Sequence, residues 1–590
     1  MQTLPEVDAV VVGMGWTGGI VAKELADAGL TVVGLERGGP RTTGEDFAVP
    51  HIRNELAYGV RLGLMQDVSR DTLTFRNNAG QRALPMRRLG SLLPGEGVGG
   101  SGAHWNGLSW RWTDHEFRIR SRYTERHGAG FIPDDMTIQD WGLTETELEP
   151  YFEKFERTAA VSGRAGNLRG RIQPGGNPFE AARRSAYPLP PLHSGLVADV
   201  FSEAATAAGH HPFPVPVANA SEAYVNPDGI AFGQCQYCGF CDKFGCEANA
   251  KGSPHLTVVA SAQRRANFTL RTHARVMRIR TDRDGKQATG VEYLDLRSGQ
   301  TVFQPAAMVV LGAYTFGNVH LMLTSGIGEA YDPVTGKGQV GRNYAYNLGV
   351  GARLFFEDKI FNPFIGAGGS YAAIDDFNNN WSYDRGPDGF VGGILVMAGM
   401  TNGRPIEHHP VPPGTPRWGS EWKAAMAHWY QKSMSIGGIG SIMPSRRNHL
   451  DLDPDYRDPF GQPMLRMTFD YTDNDRRLTA KAAQVVNDLA RSLSPSHLVP
   501  AAAASRSYTI AGYQGTHNSG GTIMSPTPES GVVNKFGQCW TMPNLFVVGA
   551  STMPHNGAQN PTATIGAMAY LTADAIRRSY LPHPNRLLAA

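Results

Sequence analysis

Apolar positions fall into two periodicities along this chain. From Asp8 to Val12 the residues are almost continuously apolar over a length too short for a helix, which predicts a buried strand. Ile20, Val21, Leu25 and Ala28 then recur at helical spacing, and Gly29 interrupts the pattern before a second apolar run, Thr31–Leu35. Phe268–Thr272 reads as another strand. Further on, Gly349–Phe356, Gly392–Ala398 and Ser433–Met443 alternate as sheet residues would. Mixed strands and helices in this order predict an α/β fold with an α+β second region.

The turn between the first strand and helix is Gly13-Met14-Gly15-Trp16-Thr17-Gly18, and the second strand ends at Glu36. Gly13 suits the tight turn, Gly15 lets a phosphate approach the backbone, and Gly18 allows close helix–strand packing. The helix N-terminus offers unpaired N–H groups to a pyrophosphate, and Glu36 stands where a carboxylate holds ribose hydroxyls. Strand, glycine turn, helix, strand and acid together predict a dinucleotide site, for NAD or FAD. Its place at the start of the chain leans toward FAD.

Composition sets the outer limits. With 590 residues the chain exceeds one ordinary hydrophobic core, so two large regions are expected. Apolar residues at 41% and charged residues at 18% are globular proportions. Seventy glycines and 39 prolines predict shaped loops rather than a helical bundle. A net charge of +2, with both signs interspersed, argues against a nucleic-acid partner. No run approaches the length of a membrane-spanning helix, and no signal peptide is visible, which by itself favours the cytoplasm. No internal repeat is evident. The Pro- and Gly-rich stretches 161–192 and 401–419 read as surface excursions or docking loops, and His210-His211 and His408-His409 as solvated pairs.

Four of the five cysteines, Cys235, Cys238, Cys241 and Cys246, fall within twelve residues, which indicates a metal or cluster site rather than a disulfide framework. Their spacing approaches a ferredoxin run, and three cysteines in quick succession favour an iron–sulfur cluster over tetrahedral zinc. Cys539 stands alone and reads as a small buried hydrophobe.

A second glycine-rich segment runs from Gly95 to Gly107 and contains Gly99, Gly100, Ser101, Asn106 and Gly107. It resembles the first signature of the glucose–methanol–choline (GMC) oxidoreductases. Ala274-Arg275-Val276, Val309–Ala313 leading into Leu321–Gly328 (in the family a strand and a helix that ends in Ser-Gly-Ile-Gly), Val340-Gly341-Arg342-Asn343, and Asn544–Ser551 followed by Asn560-Pro561-Thr562 resemble the family's later segments in the same order. The likeness is nearly complete over the flavin-binding part and weak over the rest. It implies a Rossmann-like FAD-binding domain built from 1–125, 215–330 and 505–590, and a sheet-based substrate domain from 126–214 and 331–504. Val276 would bracket the adenine, and Gly549, Ala550 and Thr562 would lie along the flavin. Where Gly549 or Ala550 stands the family usually has an Asp, so that contact must be made differently; His104-Trp105 is a bulky addition beside the flavin.

By the same resemblance His517, in Thr516–Met524, is the general base and Asn560 the partner of the substrate oxygen. His555, five residues before Asn560, is the rival base. The cysteine segment resembles that of bacterial membrane-bound sugar and sugar-acid dehydrogenases within the family, in which a 3Fe–4S cluster relays electrons. The implied enzyme oxidises a secondary alcohol of a sugar or sugar acid, D-gluconate first, or else fructose, 2-ketogluconate, sorbitol or a glucoside. Electrons would pass to a cytochrome c subunit, with a small exported subunit as second partner, at the periplasmic face of the inner membrane. A soluble oxygen-using oxidase with zinc or free thiols is the alternative.

Overall fold

The computed structural model describes the chain except residues 48–63, 88–93, 242–243, 364–369, 381, 401–408, 511–515 and 590. Strand β1 (Val7–Val12), helix α1 (Trp16–Asp27) and strand β2 (Val32–Leu35) form at the N-terminus as the periodicity predicts. β1 and β2 are parallel, with Val10 opposite Val33 and Val12 opposite Leu35. Next come β3 (Phe268–Arg271), β4 (Ala274–Thr281), β5 (Ala288–Asp295), β6 (Thr301–Leu311) and helix α2 (Tyr314–Ser325). They join one nine-stranded sheet whose main path runs β3-β2-β1-β6-β5-β4, with Met542–Val547 pairing β6 on its other flank. Val10, Val11, Val309 and Val310 are fully buried, as strands covered on both faces require.

The switch point of this sheet lies where β1 and β6 end side by side. Gly13 turns there with φ +89°, and a Cβ on it would sit 2.5 Å from the Gly312 carbonyl oxygen. A Cβ on Gly18 would sit 2.0 Å from the Gly13 oxygen, so α1 can approach the sheet only through glycine.

A second sheet holds β7 (Asn347–Phe355), β8 (Ile394–Met400) and β9 (Ser433–Ser441). Its order is 497–499, β7, β9, β8, 372–374, 213–214, antiparallel throughout. Helix α3 (Asp473–Ser492) is started by a Thr472–Asp475 capping box and packs Leu478, Ala482 and Val486 on one face of this sheet. The other face looks toward the nine-stranded sheet. A four-stranded sheet joins Thr74–Arg76 to Pro463–Thr468 in parallel, a pairing the local sequence does not announce.

The stretch 161–192 corrects its reading as a surface excursion. Arg183 within it is fully buried and donates to Glu156 Oε2 at 2.6 Å, while Arg111 holds both oxygens of the same carboxylate at 2.7 and 2.8 Å. A carboxylate shared by two guanidiniums ties this stretch to the helix Glu145–Thr158. Of the two histidine pairs, His211 is exposed and 2.8 Å from Asp376, and His210 also faces that carboxylate; His408 lies outside the described residues. Part of the loop 401–419 lies outside them as well.

Candidate active site

A cavity of about 580 Å³ opens at the switch point and runs between the two sheets. Of the residues expected at a cofactor, Gly13, Gly15, Glu36, Gly99, Gly100, Ser101, Asn106, Val276, Gly549, Ala550 and Thr562 line it. Gly18 and Gly107 do not. Gly18 packs on the Gly13 carbonyl, and a Cβ on Gly107 would strike Asn219 Oδ1 at 2.7 Å. Their contribution is the close approach of backbone behind the cavity wall.

The wall is built for an anionic dinucleotide. α1 begins at the cavity with no side chain capping it and no acidic residue in its first turn, leaving its N–H groups to the ligand. The helix Thr562–Ala575 also starts at the cavity without a side-chain cap. Glu36 is buried, and its two oxygens accept from the N–H groups of Met14 (3.1 Å) and Gly38 (2.9 Å). These bonds aim the carboxylate, while desolvation pushes its pKa above the ordinary value. Where Gly549 replaces the expected acid, a Cβ would come 3.4 Å from Thr17 Oγ1, so a hydroxyl occupies that neighbourhood. A glycine cradle, two uncapped helix ends and a fixed carboxylate fit FAD.

At the far end stand His517 and Asn560. Asn560 Nδ2 donates to His517 Nε2 at 2.8 Å, and Asn560 Oδ1 accepts from Trp110 Nε1 at 2.9 Å. Trp110 thereby fixes which way the amide points, and the amide leaves a lone pair on Nε2 engaged as acceptor. His517 adopts φ +67°, in the left-handed region that costs a non-glycine residue, and the Asn556 side chain holds its carbonyl. Burial lowers the His517 pKa to about 4, so the ring is neutral and able to accept a proton across the physiological range.

His555 is not at the cavity. It is fully buried beside Trp112 and Trp141, with Nε2 2.8 Å from the Glu116 carbonyl and Nδ1 3.1 Å from the Asn556 carbonyl. Both ring nitrogens face backbone oxygens, a packing role. Sequence reading missed Trp110, whose only local sign was its place in the alternating Trp110-Arg111-Trp112 run after the glycine signature.

The four clustered cysteines are free thiols behind the cavity wall. Asn219 Nδ2 donates to Cys241 Sγ at 3.0 Å. Burial pushes the Cys235, Cys238 and Cys241 thiols up, and neighbouring cysteine thiols add to each shift. Lys251 Nζ donates to the carbonyls of Cys241 (3.0 Å), Phe244 (2.5 Å) and Trp105 (2.6 Å), which joins the cysteine loop to the flavin-side loop through one buried cation. Among the described residues no three His, Cys, Asp or Glu side chains close on a single-ion site. Cys539 is buried, as expected of a small hydrophobe.

GMC oxidoreductase family models match residues 223–348 and 444–569. The chain is 44% identical to the gluconate 2-dehydrogenase flavoprotein of Pantoea cypripedii, over 100% of this chain and 96% of that one. It is 24% identical to the fructose dehydrogenase large subunit of Gluconobacter japonicus, over 96% and 97%. A solved structure, pyridoxine 4-oxidase from Mesorbium loti, superposes with a TM-score of 0.58 at 18% identity, covering 98% of this chain and 99% of that one, and shares the fold. The chain belongs to the GMC oxidoreductase family and is an FAD-dependent enzyme that oxidises alcohols.

Proposed function

We propose that this enzyme oxidises a secondary alcohol of a sugar acid, with D-gluconate as first substrate, and passes the electrons through an iron–sulfur cluster to a cytochrome c subunit. The observation that carries the chemistry is the neutral His517 imidazole, oriented by the Trp110–Asn560 amide chain at the end of the dinucleotide cavity. Full-length similarity to a gluconate 2-dehydrogenase flavoprotein supports the substrate class.

Bound FAD supplies a two-electron acceptor for the hydride on the carbinol carbon. His517 Nε2 takes the hydroxyl proton when the substrate hydroxyl replaces the Asn560 Nδ2–H on its single lone pair, which balances loss of the hydride as the C–O bond becomes a carbonyl. Asn560 presents the substrate oxygen to that nitrogen, and Trp110 keeps the amide from turning.

Three of Cys235, Cys238, Cys241 and Cys246 would hold a 3Fe–4S cluster, one of the four being spare, and a cluster spans several atoms and asks for thiols more widely set than one ion does. The donor set suits iron–sulfur chemistry, and the Lys251 ammonium and Asn219 amide supply the charge and hydrogen bonding that thiolates need. A cytochrome c subunit and a small exported subunit complete the assembly, at the periplasmic face of the inner membrane. No described helix is long and apolar enough to cross a membrane.

The test is anaerobic. Iron and zinc are measured in the purified holoenzyme, gluconate is added, and flavin absorbance and the electron paramagnetic resonance of iron are followed. Bleaching with iron present is the expected result. Zinc in place of iron overturns the relay, and absence of bleaching redirects the substrate to fructose, 2-ketogluconate, sorbitol or a glucoside.

A further inference from the structure

Asn560 lies on a segment with no regular structure of its own. Residues 553–561 form neither helix nor strand, yet every one of them is buried. A buried irregular backbone must find its hydrogen bonds elsewhere in the fold. Asn343 Nδ2 donates to the Pro554 carbonyl at 3.0 Å, and Asn347 Nδ2 donates to the Gly557 carbonyl. Another hold differs in kind. Gln559 Nε2 donates to Asp375 Oδ2 at 2.9 Å, so the residue next to Asn560 is tied by its own side chain to an acid. Asp375 is buried, and the same oxygen accepts from Asn177 Nδ2 at 2.9 Å. One oxygen therefore joins the catalytic segment to the 161–192 stretch.

Asp375 follows directly on the strand 372–374 of the second sheet. Ala373 pairs there with Met397 on one side and with Phe213 on the other. Met397 lines the cavity of His517 and Asn560. Phe213 meets Trp110 edge to face, with ring centroids 6.0 Å apart, and Ala558 and Ala373 join both in one apolar cluster. Trp110 is the donor that fixes Asn560 Oδ1. The amide of Asn560 and the backbone before it are thus referred to the same strand, by Trp110 and by Gln559. Neither Gln559 nor Asp375 lines the cavity, so their effect on the reaction passes through Asn560.

We propose that Asp375 is a positioning residue for the oxidation: through Gln559 it sets the backbone of Asn560, and with Trp110 it keeps the Asn560 amide on His517. A displacement of about 1 Å at a reacting group costs up to about 100-fold in rate, which gives a remote hold its value. Asn177 reaches the same oxygen from the 161–192 stretch, and its bond steadies that stretch without steering Asn560. The proposal rests on His517 and Asn560 as the catalytic pair, and on no particular sugar.

The experiment is anaerobic stopped-flow reduction of the flavin, using whichever of D-gluconate, fructose, 2-ketogluconate or sorbitol bleaches the wild type fastest. FAD content and Tm are measured on every variant. Gln559→Leu, close to the native volume, is expected to lower the limiting rate about 10-fold and leave the half-saturating concentration within about twofold. Gln559→Glu sets carboxyl against carboxyl and should be slower still. Adding Asp375→Asn to it restores a donor–acceptor pair with the direction reversed, and should recover most of the lost rate. Asn177→Ala should lower Tm and leave the rate at the wild-type value. A Gln559→Leu variant that keeps FAD and reduces it at the wild-type rate overturns the proposal. So does an Asn177→Ala variant as slow as Gln559→Leu, because loosened packing would then explain both. Failure of the catalytic pair itself shows separately, as a normal rate in His517→Ala.

Discussion

Two glycine-rich regions of this enzyme look alike as letters and differ in physical purpose. At the dinucleotide turn, Gly13 and Gly18 are glycines because any Cβ would enter backbone at 2.5 and 2.0 Å. On β7 and β9, Gly349, Gly351 and Gly437 are glycines with open space above them. The first set lets the chain touch itself, and the second keeps the chain away from something else. A glycine in a strand weakens it, so the second set has a cost that stability does not explain.

The largest effect should come from breaking the first set. Gly13→Val places side-chain carbons on the Gly312 carbonyl, and the purified protein should contain almost no FAD by flavin-to-protein absorbance ratio. A variant that retained full flavin would remove the close approach as the reason for that glycine.

Next in size is the chemistry between the two regions. His517→Ala should keep FAD and lower kcat about 10²–10⁴-fold, the usual range for a lost general base. A normal rate would transfer the role elsewhere, although His555 faces only backbone carbonyls from both ring nitrogens. The pH dependence follows from the same residue. His517 must be neutral to accept a proton, so kcat/KM should be flat through neutrality and fall as pH drops through about 4. Its folded pKa lies below the ordinary value, so the unfolded chain binds the proton more readily. Stability from this group is present above about 6.5 and is lost as pH falls toward 4. Differential scanning calorimetry between pH 4 and 7 on wild type and His517→Ala isolates it.

A smaller loss is expected from Trp110→Phe, which removes the donor to Asn560 Oδ1 and leaves the amide free to turn. One hydrogen bond at about 0.5–1.5 kcal/mol corresponds to roughly a tenfold drop in kcat at most. Unchanged kinetics would show that packing alone orients Asn560.

The smallest effect sharpens the comparison on a single sheet. Gly440→Ala, against Leu478, should destabilise by about 1–3 kcal/mol, as overpacking does. Gly351→Ala, with open space above it, should be neutral or stabilising by up to about 1 kcal/mol. Urea unfolding reads both. Equal destabilisation of both would remove the open space above Gly351 as a difference between the two faces.

How legible the molecule was follows from the range of each interaction. The dinucleotide turn could be read because strand, turn, helix and acid all fall within 36 residues, and glycine spacing there reports backbone distance directly. The boundaries of β7, β8 and β9 were legible to within two residues, because alternation is local. The 161–192 stretch misled because its Pro and Gly content says nothing about Arg183, whose partner Glu156 lies on another element.

The site divides the same way. His517 and His555 could not be told apart by spacing; burial against Trp112 and Trp141 decided between them. Trp110 and Asn560 are 450 residues apart and meet only when the chain is folded. Sequence by itself determined a dinucleotide site, because strand, turn, helix and acid are written in adjacent residues, while the resemblance to the family implied FAD, the order of the flavin-contacting segments and the candidate base. Only the tertiary structure decided which histidine faces the cavity, what orients it, and that Gly351 and Gly437 share a face with Met397 and Ile439. Those facts depend on strand register and on pairings across hundreds of residues, where no local pattern carries the information.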